Sequence, residues 1–443
     1  MSTLEWGTWD DAVRDDPFPM FAEARRRCPV QHVRLPEGHD AWVVLGHDEA
    51  RIALGDERLS KNMVAALEED PDVVAEGLPG PEFAHHMLAM DAPDHGRLRG
   101  LVAEAFRPSR VAAMQPAIER LADELLDGLA AEGCGAVVDL RARFAHALPF
   151  AVICELLGVD EARRLDLQDA FAMLLRPWPS PPPPEAVAAS DVVTGTLRAL
   201  VADAAPDPAG DLVAVLVDAV RRGKATEAEA LSSLLQLVVA GHDTTSSLIG
   251  NGVVALIDHP DQMSALCRQP GLLPAAIEEL LRYTAAVPHA TFRVATEDID
   301  IGGVEVPAGA QVLVGLGAAN RDPSAFVDPD RLDVTRPARR HLAFGHGPHH
   351  CLGAPLARLE AMVALGRLLD RFPGMRLAVP RDALEWSHGD GLVLRGLAAL
   401  PVVLGPDQGR RSHQTTSPTA PTTPTTPTTP TEGANHDQYP DHS

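Results

Sequence analysis

The sequence predicts a mainly α-helical protein with a small β-rich region, and three observations carry that expectation. Most of the chain consists of Ala-, Leu-, Arg- and Glu-rich segments at helical spacing, such as Val111 to Leu129, separated by Pro- and Gly-containing turns. One helical segment is unusually long. It starts at Thr226-Glu227-Ala228-Glu229, which has the Thr-x-x-Glu form of a capping box, and runs to the stop at Pro260. A β-rich patch of short Val and Ile segments appears at Ile299–Gly315, punctuated by Gly302-Gly303 and Pro307-Ala308-Gly309, and a second is suggested at Gly391–Val403.

At about 1.5 Å per residue the long helix spans roughly 50 Å, a length that only a large single domain accommodates through its middle. The 443 residues, 45% of them hydrophobic, suffice for a large core but leave the domain count open on length alone. Composition changes abruptly after Leu404, and Thr415–Thr431 is a Thr/Pro tract that cannot form a core. We therefore expect one folded domain over 1–404 and a disordered tail over 405–443. A second proline-packed stretch, Pro177–Pro184, should be an extended, stiff connector between helical regions.

The 38 Lys and Arg against 62 Asp and Glu give a formal net charge of -24, which removes the usual electrostatic drive for nucleic-acid binding. No signal peptide, membrane anchor or spanning segment is readable, so a cytoplasmic protein is expected. The five cysteines include no CxxC pair, which argues against a disulfide framework; four should pack as small apolar side chains. Only Cys351 lies in an unusual context.

Around it, Phe344-Gly345-His346-Gly347-Pro348-His349-His350-Cys351-Leu352-Gly353-Ala354 requires a tight turn just before a helical pattern from Pro355 to Arg371. The glycines permit backbone conformations that other residues resist, and they leave room for a flat ligand to approach the main chain. Cys351 is expected at the helix N-terminus, where free N–H groups and the helix dipole favour a thiolate. Zinc is a competing reading because four histidines lie close by. Three consecutive candidate ligands, His349 to Cys351, do not converge easily on a tetrahedral ion. A phosphate loop fits less well still, since neither GxGxxG nor Gly-Lys-Ser/Thr is present.

In the centre of the long helix, Ala240-Gly241-His242-Asp243-Thr244-Thr245-Ser246-Ser247 interrupts an apolar run with poor helix formers. Thr244 can return its hydroxyl to the carbonyl of Ala240, four residues back, which distorts a helix and opens a groove beside it. An acid beside an alcohol at such a distortion suits a proton relay.

Together these motifs resemble those of the cytochrome P450 superfamily. The signature Phe-Gly-x-Gly-x-His/Arg-x-Cys-x-Gly is met by Phe344, Gly345, Gly347, His349, Cys351 and Gly353, and Ala/Gly-Gly-x-Asp/Glu-Thr by Ala240 to Thr244. The resemblance runs from about Asp16 to Val402. It implies a helical prism with haem b between the long helix and the Cys351 helix, iron held by the Cys351 thiolate, and Asp243 and Thr244 assisting O–O cleavage. It further implies that Glu279 and Arg282 form a structural ion pair tied to the Asn320–Pro323 region. By the same resemblance His95, Arg99, Arg293 and His349 contact the haem propionates, and His95 and Arg99 share a helix face that Arg97 does not.

The activity implied is monooxygenation: one atom of O2 enters a small organic substrate, by hydroxylation or epoxidation, in natural-product metabolism. Ferredoxin and ferredoxin reductase are the implied partners. Peroxide-driven or oxidative-coupling chemistry would share every motif without needing Thr244, while a haem carrier or gas sensor would not need the acid–alcohol pair. By family position the pocket draws on Lys61–Leu88, Phe171–Pro184, Val239, Val287–Ala290 and Leu392-Val393. His289 is expected to face it and hydrogen-bond substrate.

Overall fold

A computed structural model describes residues 4–5, 15–35, 40–62, 85–174, 183–207, 211–387 and 393–409. The helices, in chain order, are α1 (Phe18–Arg27), α2 (His47–Gly55), α3 (Asp94–Val102), α4 (Pro108–Ala130), α5 (Ala147–Leu157), α6 (Glu161–Leu174) and α7 (Pro184–Asp203). They continue with α8 (Leu212–Arg221), α9 (Glu227–Asp258), α10 (Pro260–Arg268), α11 (Leu273–Thr284), α12 (Leu316–Ala319) and α13 (Ala354–Arg371). One turn of π-helix, Arg141–Ala145, precedes α5.

The long helix expected from Thr226 is α9. Thr226 Oγ1 accepts from the N–H of Glu229 at 3.1 Å, and the Glu229 carboxylate accepts from the N–H of Thr226 at 2.7 Å, so the capping box is complete. Pro260, which has no N–H to continue the ladder, starts the next helix instead. α9 is apolar on most sides and runs buried through the largest core, packed by α5, α11 and α13.

The β-rich residues form a six-stranded sheet ordered β1-β2-β3-β9-β6-β4: β1 (Leu4–Glu5), β2 (Val30–Arg34), β3 (Asp40–Val44), β4 (Leu59–Ser60), β6 (Arg293–Ala295) and β9 (Gln311–Val314). Period-2 alternation divides its core residues. Val43 and Leu313 pack with Phe21 of α1 on one face, and Val44, Val312 and Val314 pack with Ala50 and Leu54 of α2 on the other. The Ile299–Gly315 patch divides into a hairpin of β7 (Ile299–Ile301) and β8 (Val304–Val306), then β9, which leaves to pair in parallel with β3. A third sheet joins β5 (Val137–Asp139) and β10 (Arg376–Leu377) through β13 (Pro401–Val403), and β11 (Trp386–Ser387) pairs with β12 (Gly396–Leu397).

The compact unit continues past the expected limit at 404 to Gly409. Buried Arg371, at the end of α13, explains the extension: it donates to Asp127 of α4 at 2.6 Å and to Asp407 at 2.7 Å, and its carbonyl accepts from the N–H of Gln408 at 2.9 Å. The tail expected beyond, 410–443, lies outside the described residues, as do 177–182 of the proline-packed connector. Among the described residues no helix is long and apolar enough to cross a membrane.

Candidate functional site

The cysteine loop is shaped by its backbone. Gly345 and Gly347 adopt left-handed conformations, with φ of 70° and 72°. A Cβ at Gly347 would stand 2.7 Å from the carbonyl oxygen of Leu54, so only glycine lets the loop lie against the end of α2. The N–H of Cys351 donates to the carbonyl of Phe344 at 2.9 Å and closes the turn.

α13 begins at Ala354 with Gly353 as its cap, so Cys351 stands three residues ahead of the helix rather than in its first turn. Although the residue is accessible from one side, burial of the sulfur among protein atoms is the largest influence on its thiol and raises the pKa. The N–H groups of Gly353 and Ala354 and the charges of Arg99 and Arg358 pull the other way without overcoming it. The helix terminus alone therefore does not deliver the thiolate expected from the sequence. A metal ion bound to the sulfur would do so, since coordination deprotonates a thiol outright.

The four cationic or imidazole candidates converge from three elements. His95 and Arg99 come from α3, Arg293 from β6 and His349 from the loop; the His95 and His349 rings are 4.1 Å apart. Arg99 Nη2 donates to the carbonyl of His350 at 2.8 Å. Arg97 points elsewhere and is neutralised by Glu229 and Asp94, at 2.5 and 2.8 Å.

The structure adds a fifth member, Lys61, which follows β4 and so lies beside Arg293 on the neighbouring strand. Burial, reinforced by the charge of Arg293, pushes the Lys61 ammonium down to about 7. Burial also lowers Arg293 to about 10 and His349 to about 2, the latter helped by Lys61 and His95. His95 Nε2 and Arg293 Nη1 are buried with no hydrogen-bond partner among the described residues. Asp91 is the carboxylate whose charge acts on Lys61 and Arg293. Orphaned donors and surplus positive charge are costly when buried. This set fits a dianionic group, such as a pair of carboxylates, and a haem ligated by Cys351 would bring one in its two propionates.

On α9, Thr244 Oγ1 donates to the carbonyl of Ala240 at 2.7 Å, the back-bond that the sequence suggested. Asp243 is half-buried, and burial raises its carboxyl pKa despite the opposing charges of His146 and Arg141. One side-chain donor atom from each of His146, His242 and Asp243 lies within 4.8 Å of the other two. The cysteine-loop histidines make no such group among the described residues, which leaves the zinc reading without geometric support there.

Behind the site, Glu279 and Arg282 of α11 are fully buried and joined by two bonds of 2.7 and 2.8 Å. Arg282 also donates to the carbonyl of Asn320 at 2.9 Å, linking the pair to the region expected. The sequence reading missed Arg336, whose Nε donates to Glu279 at 3.0 Å. A lone Arg after Asp333-Val334-Thr335 carries no spacing signal. His146 and Lys61 were missed for the same reason, each being one polar residue in an ordinary context.

The pocket candidates divide. Val239 and Val287 are partly buried and flank the core on the α9 and β-sheet sides. His289 goes elsewhere: it is fully buried, edge-on to Phe21 of α1 with ring centroids 5.4 Å apart, in the packing between α1 and the sheet. That burial removes it from the pocket wall. Phe171 is likewise fully buried, against Phe150. Leu392 and residues 63–84 lie outside the described residues.

Residues 270–393 match the Cytochrome P450 family profile. The chain is 44% identical over 400 residues to Cytochrome P450 107B1 of Saccharopolyspora erythraea, covering 89% of this chain and 96% of that one. It is 43% identical over 404 residues to 6-deoxyerythronolide B hydroxylase of the same organism, covering 89% and 97%. The tirandamycin C-bound P450 monooxygenase TamI matches with a TM-score of 0.81 at 40% identity, covering 91% of this chain and all of that one. The likeness thus extends along nearly the whole compact unit, far beyond the cysteine loop, and the chain belongs to the cytochrome P450 family as one of its monooxygenases.

Proposed function

We propose that this protein uses O2 to place one oxygen atom in a small organic natural-product intermediate, by hydroxylation or epoxidation. Electrons come singly from a ferredoxin and its reductase, and the cytoplasm is the compartment, in keeping with cysteines that form no disulfide among the described residues. The relatives' names, a 6-deoxyerythronolide B hydroxylase and a tirandamycin C-bound monooxygenase, support the substrate class.

The observation that carries the reading is the acid–alcohol pair midway along α9. Thr244 holds its hydroxyl proton on the Ala240 carbonyl at 2.7 Å. Its oxygen therefore keeps its lone pairs free to accept until the hydroxyl turns to donate. Asp243, held protonated more readily than an exposed acid, is the next proton source along the helix. Haem, when bound, supplies the oxygen-activating electronics, which a cysteine thiolate tunes toward O–O cleavage. Cys351 would be the iron ligand, and His95, Arg99, Arg293, His349 and Lys61 would hold the propionates. Val239 and Val287 offer apolar surface for substrate.

The test is a carbon monoxide difference spectrum of the dithionite-reduced protein beside Cys351→Ala, then titration with 6-deoxyerythronolide B and tirandamycin C as probes. A red-shifted Soret band lost in the variant, and isotope from labelled O2 in the product, are expected. No haem band would sink the reading. Thr244→Ala separates the peroxide alternative: it should impair turnover with O2 and electrons, whereas an enzyme built to use peroxide would be indifferent.

A further inference from the structure

We propose that His146 is the positioning residue through which protons reach Asp243, with Gln168 of α6 setting its tautomer; this deepens the oxygen-chemistry reading above and rests on it. His146 follows the π-turn Arg141–Ala145, and its N–H donates five residues back to Arg141 at 2.8 Å. Such wide turns are uncommon and often mark functional positions. This one delivers the imidazole against α9, where its ring centroid is 4.0 Å from that of His242 and its Nε2 is 3.7 Å from Asp243 Oδ1.

The opposite nitrogen, Nδ1, is 3.1 Å from the side-chain amide nitrogen of Gln168. An amide NH2 only donates, so Nδ1 must accept. A neutral imidazole then carries its hydrogen on Nε2, the nitrogen aimed at Asp243. The groups facing the ring are Arg141 from its own turn, His242 and Asp243 from α9, and neutral Gln168 from α6. Burial, with His242 and Arg141, opposes a resting cation there, and the ring stays neutral. A proton consequently passes through rather than settling. Nδ1 takes one from the half-exposed Gln168 side as the amide turns away, and Nε2 releases its own to the Asp243 carboxylate, directly after a small rotation or across one water. No net charge stays on the ring, which is left as the Nδ1–H tautomer; exchange with water, in which Nδ1 gives up that hydrogen and Nε2 takes up another, restores the resting form, and the amide then donates to Nδ1 again.

The experiment has two arms on the full chain. In the first, long-range 1H–15N spectra of histidine-labelled protein, with His146 assigned by its loss in His146→Gln, should show the Nε2–H tautomer at neutral pH. Gln168→Leu should admit the other tautomer. In the second, the holoenzyme is driven by NADPH, ferredoxin and reductase with no substrate added. Each O2 then takes two electrons and two protons to hydrogen peroxide, or four electrons and four protons to two waters. Loss of the relay in His146→Gln and His146→Leu should raise the peroxide-to-water ratio by roughly threefold or more and enlarge the solvent isotope effect, with the carbon monoxide spectrum unchanged. An Nδ1–H tautomer in the parent protein, or an unmoved ratio and isotope effect in variants that hold haem, would overturn the proposal. A chain that takes up no haem would defeat the parent reading through the spectrum, while the tautomer arm still reports on His146.

Discussion

Arg99 ties α3 to the residue before Cys351 through a single bond, Nη2 to the carbonyl of His350 at 2.8 Å. The guanidinium also lies close enough to Cys351 to favour its thiolate. Arg99→Ala should therefore loosen the proximal loop and weaken haem retention by about tenfold, equivalent to about 1.4 kcal/mol. Haem loss to a scavenger protein measures this directly, and unchanged loss kinetics would remove Arg99 from the cofactor site.

Lys61 makes a different demand. It is 6% exposed beside Arg293, an arrangement that penalises the chain unless an anion joins it. Lys61→Met should release haem faster, by about tenfold, and make the release less sensitive to salt. A variant that retained haem as firmly as the parent would assign the lysine a purely structural place.

Glu279 accepts from both Arg282 and Arg336 while fully buried. Removing it strands two guanidinium groups, and Glu279→Ala should cost about 3–5 kcal/mol or prevent folding. Glu279→Gln keeps the shape but not the charge and should cost less. Urea denaturation midpoints of the two variants test the order.

Acid stability follows from the histidine pair formed by His146, at the start of α5, and His242 of α9. Burial depresses both His146 and His242 to about 3 from an ordinary 6.5. A depressed folded value means that the unfolded chain takes up protons first. Stability should be complete above pH 6.5 and fall toward pH 3, by on the order of 1 kcal/mol per histidine per pH unit. The raised carboxyl of Asp243 works in the opposite sense, its contribution being present at low pH and lost as pH rises, and so softens the fall. Denaturation midpoints collected across that range should flatten in His146→Gln.

Much of the site was legible because it is written in local sequence. The Thr226 capping box, the Thr244 back-bond and the left-handed glycines each depend on residues within a few positions, where spacing and geometry are nearly the same thing. The Glu279–Arg282 pair is one helical turn long and just as readable. What failed depends on distant partners. His289 looked like a pocket residue until α1 brought Phe21 onto its edge, and Lys61 gained meaning only when β4 paired with β6. Cys351 shows a third limit: its position was plain, but burial of its sulfur outweighs the nearby N–H groups, and no motif states that balance.

Arg371 gives the C-terminal end of the compact unit a practical meaning. Because it clasps Asp127 and Asp407 at once, the chain leaves the fold from a fastened point rather than from a fraying strand. Gly409 is thus a natural seam for engineering. A reductase or reporter module fused there would inherit a fixed point of departure, whereas trimming back past Asp407 would leave Arg371 of α13, the helix that follows Cys351, held by Asp127 alone.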